Sequence, residues 1–511
     1  MSNLSQPPFS NLAEFNSYAA SIREQGFTHV PVVRETLADL DTPVSTYLKL
    51  ANQPYTYLFE SVHGGDKWGR YSIIGLPCET VYRFIGNELS IEHDGQLIEQ
   101  RNVEQPLEAI REIQSQYKIS EYPGLPEMTG GLVGYFGYET VAYIEPRLAD
   151  QSKPDSIGTP DILLMVSLTV LIFDNLSGSI FMMTLADVND PKAYQKAQTQ
   201  LDQCMTQLSA NIDVPTPALA SASAGKDKEL KEGNYELHFD KVDFEQAVER
   251  CQKYIRDGDI MQVVLSQRLS KTYDGPPINV YRALRLINPS PHMYFLNLGD
   301  FSIVGSSPEI LVRLRDGKVT VRPIAGTRKR GLDEEQDQLL EHELLNDEKE
   351  LAEHLMLIDL GRNDVGRIAE TGSVELTEKM LIERYSHVMH IVSNVDGQIR
   401  PELDAIDALK ATFPAGTVSG APKIRAMEII NELEPIKRGV YSGAVGYLGW
   451  NGQMDTAIAI RTAVIKDGTI NIQAGAGVVA DSVPKYEWNE TLNKARALVT
   501  AMKMANADQE T

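Results

Sequence analysis

Short strand-like runs separated by turns crowd the second half of this chain, and their spacing limits the fold more than any other feature. They cover residues 261–267, 293–297, 301–306, 310–315, 319–323, 444–450, 455–465 and 470–473. Strands recurring at roughly 8–12 residues favour antiparallel sheets over the strict strand–helix alternation of a parallel one. Helical periodicity runs through 244–257, 340–360, 421–433 and 485–503. The first half mixes strand-like runs at 70–74, 80–85 and 163–173 with helical ones at 106–117 and 191–208. The expected class is α+β: largely antiparallel sheets packed face to face in a sandwich, with helices outside. Between the halves, residues 209–234 are rich in Pro, Ala, Ser and Lys without periodicity, as a linker or surface loop would be. That division makes 1–208 an N-terminal domain and 235–511 a larger C-terminal one.

Two of the helical stretches are acidic in a way that suits a cation. One contains Glu350 and Glu353, the other Glu487 and Glu490. Glutamates three apart project from one helix face. Leu351, Leu355 and Ile358 supply an apolar stripe for the first helix, and Trp488, Leu492 and Ala495 for the second. Taken alone, either stretch reads as a solvated face with intrahelical ion pairs. Taken together, carboxylates on two helices suit Mg²⁺, which takes one or two protein carboxylates and leaves positions for water and substrate. A di-iron site wants Glu-x-x-His spacing, whereas His354 directly follows Glu353.

Three glycine-rich segments, 322–328, 414–423 and 473–479, have an anion-binding look. Glycine admits bare backbone N–H groups to a ligand, and a helix N-terminus favours negative charge. Pro422 fits the start of the helix that follows 414–421. The spacing of a phosphate P-loop is absent, and each segment alone reads as a turn.

A net charge of −23 argues against nucleic acid, whose binding relies on Lys and Arg neutralising phosphate. The N-terminus has neither a basic nor an apolar signal region. The longest apolar stretch, 162–173, is too short to span a bilayer. Cys78, Cys204 and Cys251 show neither metal spacing nor a disulfide framework. A reduced, cytoplasmic protein without membrane association is expected.

The chain resembles the chorismate-utilising enzymes, and within them the large synthase subunits (component I) of anthranilate synthases, from about Leu58 to Thr500. The motifs that carry the likeness are Pro-Ile-Ala-Gly-Thr at 323–327, Glu-His-Leu-Met-Leu-Ile-Asp-Leu-Gly-Arg-Asn-Asp at 353–364, Gly-Thr-Val-Ser-Gly-Ala-Pro-Lys at 416–423 and Gln-Ala-Gly-Ala-Gly at 473–477. The resemblance implies a two-sheet sandwich with the active site in a cleft, and Mg²⁺ between Glu353, Glu490 and the substrate ring carboxylate, supported by Glu350 and Glu487. It implies Arg461, Tyr441 and the backbone of Gly475, Ala476 and Gly477 at the enolpyruvyl carboxylate, Gly326 and Thr327 along the ring, and Lys494 nearby. Thr417 is implied near the ring as well, as a catalytic residue; Glu309 takes the place of the acid at the departing hydroxyl, and His390 that of the histidine needed for pyruvate loss. His387 is an alternative that only motif alignment sets aside.

Two positions choose among relatives. Gln262 stands where water-adding relatives carry a lysine that activates water, so the expected nucleophile is ammonia. Ala325 stands where aminodeoxychorismate synthases carry a lysine; that activity is the alternative, with a non-catalytic amino-acid sensor the alternative from another class. A glutaminase nucleophile needs a cysteine at a glycine-flanked elbow with a histidine partner, which none of the three cysteines has. A separate glutamine amidotransferase subunit (component II) is therefore expected to supply ammonia, in a heterotetramer. Glu60, Ser61, Pro291, His292 and Met293 match the family's feedback tryptophan site, although Phe59 replaces the usual leucine and His292 the usual tyrosine.

Overall fold

Two antiparallel sheets, each of twelve strands among the described residues, carry the chain. The computed structural model describes residues 8–62, 70–149, 153–211, 232–385 and 388–506. The first sheet runs through His29–Leu37, Ser179–Asp187, Thr169–Asp174, Tyr71–Gly75, Thr56–Glu60, His292–Asn297, Phe301–Ser307, Thr462–Lys466, Thr469–Val478, Gln262–Thr272 and Glu236–Leu237. The short strand Gly420–Ala421 adds to Gln262–Thr272. The second runs through Ile324–Lys329, Val388–Gln398, Lys318–Val321, Ile310–Arg315, Met454–Ile458, Ala444–Gly449, Gly131–Phe136, Ile162–Ser167, Thr80–Ile85, Glu88–His93 and Gln96–Asn102, with Glu375–Arg384 folded onto Val388–Gln398.

The sheets pack face to face. Tyr57, Ile172, Leu296, Ile303 and Val464 of the first share one buried cluster with Val81, Val133, Leu163 and Val445 of the second. Both sheets draw strands from either side of 209–234. Thr56–Glu60 pairs with His292–Asn297, and Gly131–Phe136 with Ala444–Gly449. Of the expected linker, residues 212–231 lie outside the described residues, as does His387.

Several sequence runs divide where periodicity gives no sign of it. Residues 163–173 form two strands, Ile162–Ser167 in the second sheet and Thr169–Asp174 in the first. Residues 455–465 likewise divide into Met454–Ile458 and Thr462–Lys466, again in different sheets. Residues 340–360 form two helices, Glu334–Leu345 and Glu348–Gly366. The Asp347 side chain accepts from Lys349 N and Glu350 N and so starts the second. The glycine-rich segments at 324–328 and 473–477 are strand, because their backbones are taken up by ladders with Val388–Gln398 and Gln262–Thr272. Pro422 caps the helix Lys423–Leu433. The stripe on Glu348–Gly366 is also displaced. Leu355 is 48% exposed, and the buried face is His354, Leu357, Ile358, Gly361 and Val365.

Candidate active site

Two sheet-to-sheet crossings lie side by side, and each holds a charged residue of the expected site. Glu309 joins Phe301–Ser307 of the first sheet to Ile310–Arg315 of the second. Arg461 joins Met454–Ile458 back to Thr462–Lys466 and adopts φ +50°. Ile458 N donates to Glu309 O at 3.0 Å, and Ser306 N to Arg461 O at 3.1 Å. The two side chains are near enough for their charges to act on one another.

Glu309 is buried, and desolvation pushes its carboxyl up to about 7. The Thr417 hydroxyl bonds to it, and Arg461 and Lys494 oppose the rise, while Glu353 adds to it. Thr417 comes from the turn Gly416–Val418, where Gly416 is seated so close to Leu360 that a Cβ would stand 2.0 Å from its Cδ2.

His390 reaches the same space from Val388–Gln398. Its cross-strand partner is Thr327, beside a bulge between Ala325 and Thr327 where Gly326 takes φ +66°. His390 Nδ1 lies 2.9 Å from Gly326 O and 3.1 Å from Thr327 Oγ1. A carbonyl only accepts, so Nδ1 carries the proton and Nε2 keeps a free lone pair. Desolvation, together with Arg461, lowers the ring to about 4, with Gly326 O and Glu383 opposing. Arg461 therefore acts on both Glu309 and His390.

The acidic helices flank this group. Glu350 is raised by burial and by Glu353, opposed by Arg328 at 3.4 Å. On Pro484–Asn506, Glu487 is raised by burial and by Glu490. Gln262 Nε2 donates to Glu353 Oε1 at 3.2 Å. Lys494 Nζ stands 2.7 Å from Glu490 Oε1 and donates to Gly475 O at 3.0 Å. Among the described residues no three of these glutamates bring ligand oxygens within 4.8 Å of one another. The donor set still fits a hard divalent cation. It is all oxygen, and each helix holds a carboxylate whose ionisation its neighbour resists, a repulsion that a cation would relieve.

The remaining wall is close-packed backbone. A Cβ on Gly475 would lie 2.7 Å from Tyr441 Oη, and one on Gly477 2.7 Å from Gln262 Nε2. Ala476, between them, is fully buried in Thr469–Val478. Two residues at the site escaped the sequence reading. Tyr385 interacts electrostatically with Glu309 and Arg461, and its ring centroid is 5.5 Å from that of His390. Arg328 gathers Glu343, Asp347 and Glu350. Both depend on long-range strand register, which leaves no local signal.

Glu60, Ser61, Pro291, His292 and Met293 line a different cavity of about 300 Å³ between the sheets. Glu60 pairs with Met293 across neighbouring strands. Its carboxylate receives Arg285 at 2.9 and 3.1 Å, and Tyr281 Oη. Desolvation lowers His292 to about 4. Arg313, Tyr447 and Asp455 of the second sheet complete the lining and were not anticipated.

A profile of the chorismate binding enzymes matches residues 62–500. Anthranilate synthase component 1 of Pseudomonas aeruginosa is 57% identical over 503 residues, 98% of this chain and all of that protein. The protein of the same name from Aquifex aeolicus is 47% identical over 489 residues, 95% of this chain and 97% of its own length. The crystal structure of anthranilate synthase component I from Streptococcus pneumoniae superposes with a TM-score of 0.72 at 39% identity, covering 91% of this chain and 98% of that one. The menaquinone-specific isochorismate synthase from Escherichia coli shares the fold, with a TM-score of 0.67 at 19% identity over 96% and 99% of the two chains.

Proposed function

The chain belongs to the chorismate binding enzyme family, and from that premise we propose that it converts chorismate and ammonia to anthranilate and pyruvate in tryptophan biosynthesis. The observation that carries this reading is the pairing of a buried carboxyl raised to about 7, Glu309, with a buried imidazole lowered to about 4, His390. At neutral pH one can give a proton and the other can take one.

In the first step ammonia attacks C2 of the ring, the double bonds shift, the C4 hydroxyl leaves as water with the proton of Glu309, and the new C2 ammonium loses one proton to solvent to become the amine. Thr417 orients that carboxyl. Arg461 and Tyr441 hold the enolpyruvyl carboxylate beside Gly475, Ala476 and Gly477, and Gly326 and Thr327 bound the ring. In the second step His390 Nε2 removes the C2 proton. The C3–O bond breaks, and the enol takes a proton at its methylene carbon to become pyruvate. Glu353 and Glu490 would hold Mg²⁺, with Glu350 and Glu487 behind them. The ion supplies charge neutralisation for the ring carboxylate.

Gln262 favours ammonia over water because an amide is no base. Here it donates to Glu353 instead. The buried thiols of Cys78 and Cys251 are pushed up to about 12 and that of Cys204 is raised, so none suits a glutaminase nucleophile. A glutamine amidotransferase subunit would supply ammonia in the cytoplasm, within a heterotetramer. Tryptophan would inhibit from the cavity lined by Ser61, His292 and Met293.

Product analysis tests the reading. Chorismate, Mg²⁺ and an ammonium salt should yield anthranilate and pyruvate in equal amounts. Isochorismate, or aminodeoxychorismate without pyruvate, would refute it.

A further inference from the structure

Behind the substrate wall lies an ion pair to which the proposed chemistry gives no part. Glu434 and Arg438 are 4% and 2% exposed, and Arg438 Nη2 stands 2.6 Å from Glu434 Oε1. A guanidinium has five N–H donors, and here each has an acceptor. Arg438 Nε and one Nη2 hydrogen go to Glu434 at 2.9 and 2.6 Å, and the other Nη2 hydrogen to Val264 O at 2.8 Å. The Nη1 pair reaches Val418 O at 2.7 Å and Ser442 Oγ at 3.1 Å. Glu434 Oε1 in turn accepts from Ser266 N and Oγ at 2.8 and 2.9 Å.

The acceptors are informative by their place in the chain. Val418 follows Thr417, Ser442 follows Tyr441, and Val264 is two residues beyond Gln262. Ser266 is the ladder partner of Gly475. The Arg438 guanidinium also lies 5.6 Å from the Tyr441 ring centroid. One strand, Gln262–Thr272, and the two loops that hold Val418 and Ser442 thus meet on a single planar group, and Glu434 ties the same strand to it again through Ser266. A buried ion pair is weak evidence for stability, because an apolar substitute of similar volume often does as well. An apolar group could not hold two carbonyls and a hydroxyl in fixed relation.

We infer that Arg438, held by Glu434, is a positioning residue for chorismate: it fixes Thr417, Tyr441, Gly475 and Gln262 relative to one another without touching substrate. The inference rests on the reading that these residues line the chorismate site. Arg438→Lys keeps the charge but loses the fork, since an ammonium has three donors on a flexible stem. Ser442→Ala removes one of the five bonds and leaves the other four. Steady-state kinetics with chorismate and ammonium should show the KM for chorismate raised about tenfold in Arg438→Lys and about threefold in Ser442→Ala, as displaced binding groups require. The KM for ammonium and the melting midpoint of Ser442→Ala should change little. If the pair serves folding alone, melting temperature and the fraction of active enzyme fall while the chorismate KM stays at the wild-type value in both variants, and the inference is overturned. Should Arg438→Lys fail to fold, Glu434→Gln decides in its place, since it loosens the hold on the guanidinium while sparing the bond between Ser442 and Tyr441. Wild-type turnover of chorismate tests the proposed function separately, so an active wild type with unmoved variant KM values contradicts only the positioning role.

Discussion

At the scale of single residues, the proposed chemistry rests on burial moving two groups in opposite directions. Desolvation disfavours whichever form is charged, so it raises the Glu309 carboxyl and lowers the His390 imidazole. Glu309 must hold its proton to act as an acid, and it loses that proton as pH rises through about 7. With free ammonia held constant, kcat/KM for chorismate should therefore fall about tenfold per pH unit above that point. A profile flat to pH 9 would remove Glu309 from the acid role. His390→Met should separate the half-reactions, consuming chorismate while aminodeoxyisochorismate accumulates and anthranilate formation drops by at least about a hundredfold. Chromatography of quenched mixtures reads this directly. If His387→Met blocks the second step and His390→Met does not, the base is the other histidine. Glu353→Gln or Glu490→Gln should abolish turnover at saturating Mg²⁺, since each removes an anionic ligand from an ion worth several kcal/mol to the reaction. Full activity in either variant would mean that the two helices share no cation.

At the scale of elements, the placement of these residues depends on chain crossings and ladders that periodicity does not report. The antiparallel spacing and the helix at 484–506 were legible, because turn intervals and apolar stripes are local signals. The division of 455–465 at Arg461 was not. Residues on both sides of the crossing are buried, so no alternation of apolar and polar residues marks the change of sheet. The break after Leu345 is signalled only by Asn346 and Asp347, whose capping role shows in their hydrogen bonds. The Gln-Ala-Gly-Ala-Gly run read as a loop because glycine usually punctuates. Here it is strand, with glycine where Tyr441 and Gln262 press against the backbone. Gly475→Ala should accordingly cost about 1–3 kcal/mol through overpacking and raise the chorismate KM. Denaturant unfolding together with kinetics checks both, and an unperturbed variant would show that the approach to Tyr441 is loose. The proposed site carboxylates, Arg461 and His390 were named from motif resemblance. Tyr385, Arg328 and the Arg438 hub were not, since each depends in part on partners distant in sequence: Glu309 and Arg461 for Tyr385, Asp347 and Glu350 for Arg328, Val264 and Val418 for Arg438.

At the scale of the whole molecule, the two sheets enclose the second cavity, and short paths along a strand ladder and along the chain lead from it to the proposed catalytic group. His292 in the cavity is the ladder partner of Ser307, two residues before Glu309. Ala457, also in the cavity, is four residues before Arg461. A ligand that favours one packing of the sheets can therefore bias the site, within the limit set by its differential affinity for the two states. Tryptophan should inhibit, and Ser61→Ala or Met293→Thr should relieve inhibition by about tenfold or more with uninhibited turnover largely intact. Linkage then requires chorismate to weaken tryptophan binding by the same factor. Calorimetric titrations with and without saturating chorismate measure that factor, and equal affinities would refute the coupling. The same molecule, with three buried thiols and no glutaminase nucleophile among them, should need nitrogen delivered as ammonia. The most direct test is the anthranilate fluorescence of the purified chain given chorismate and Mg²⁺. Signal should grow with an ammonium salt and stay at baseline with glutamine alone. Absence of anthranilate with ammonium, or its formation from glutamine by the isolated chain, would contradict the account.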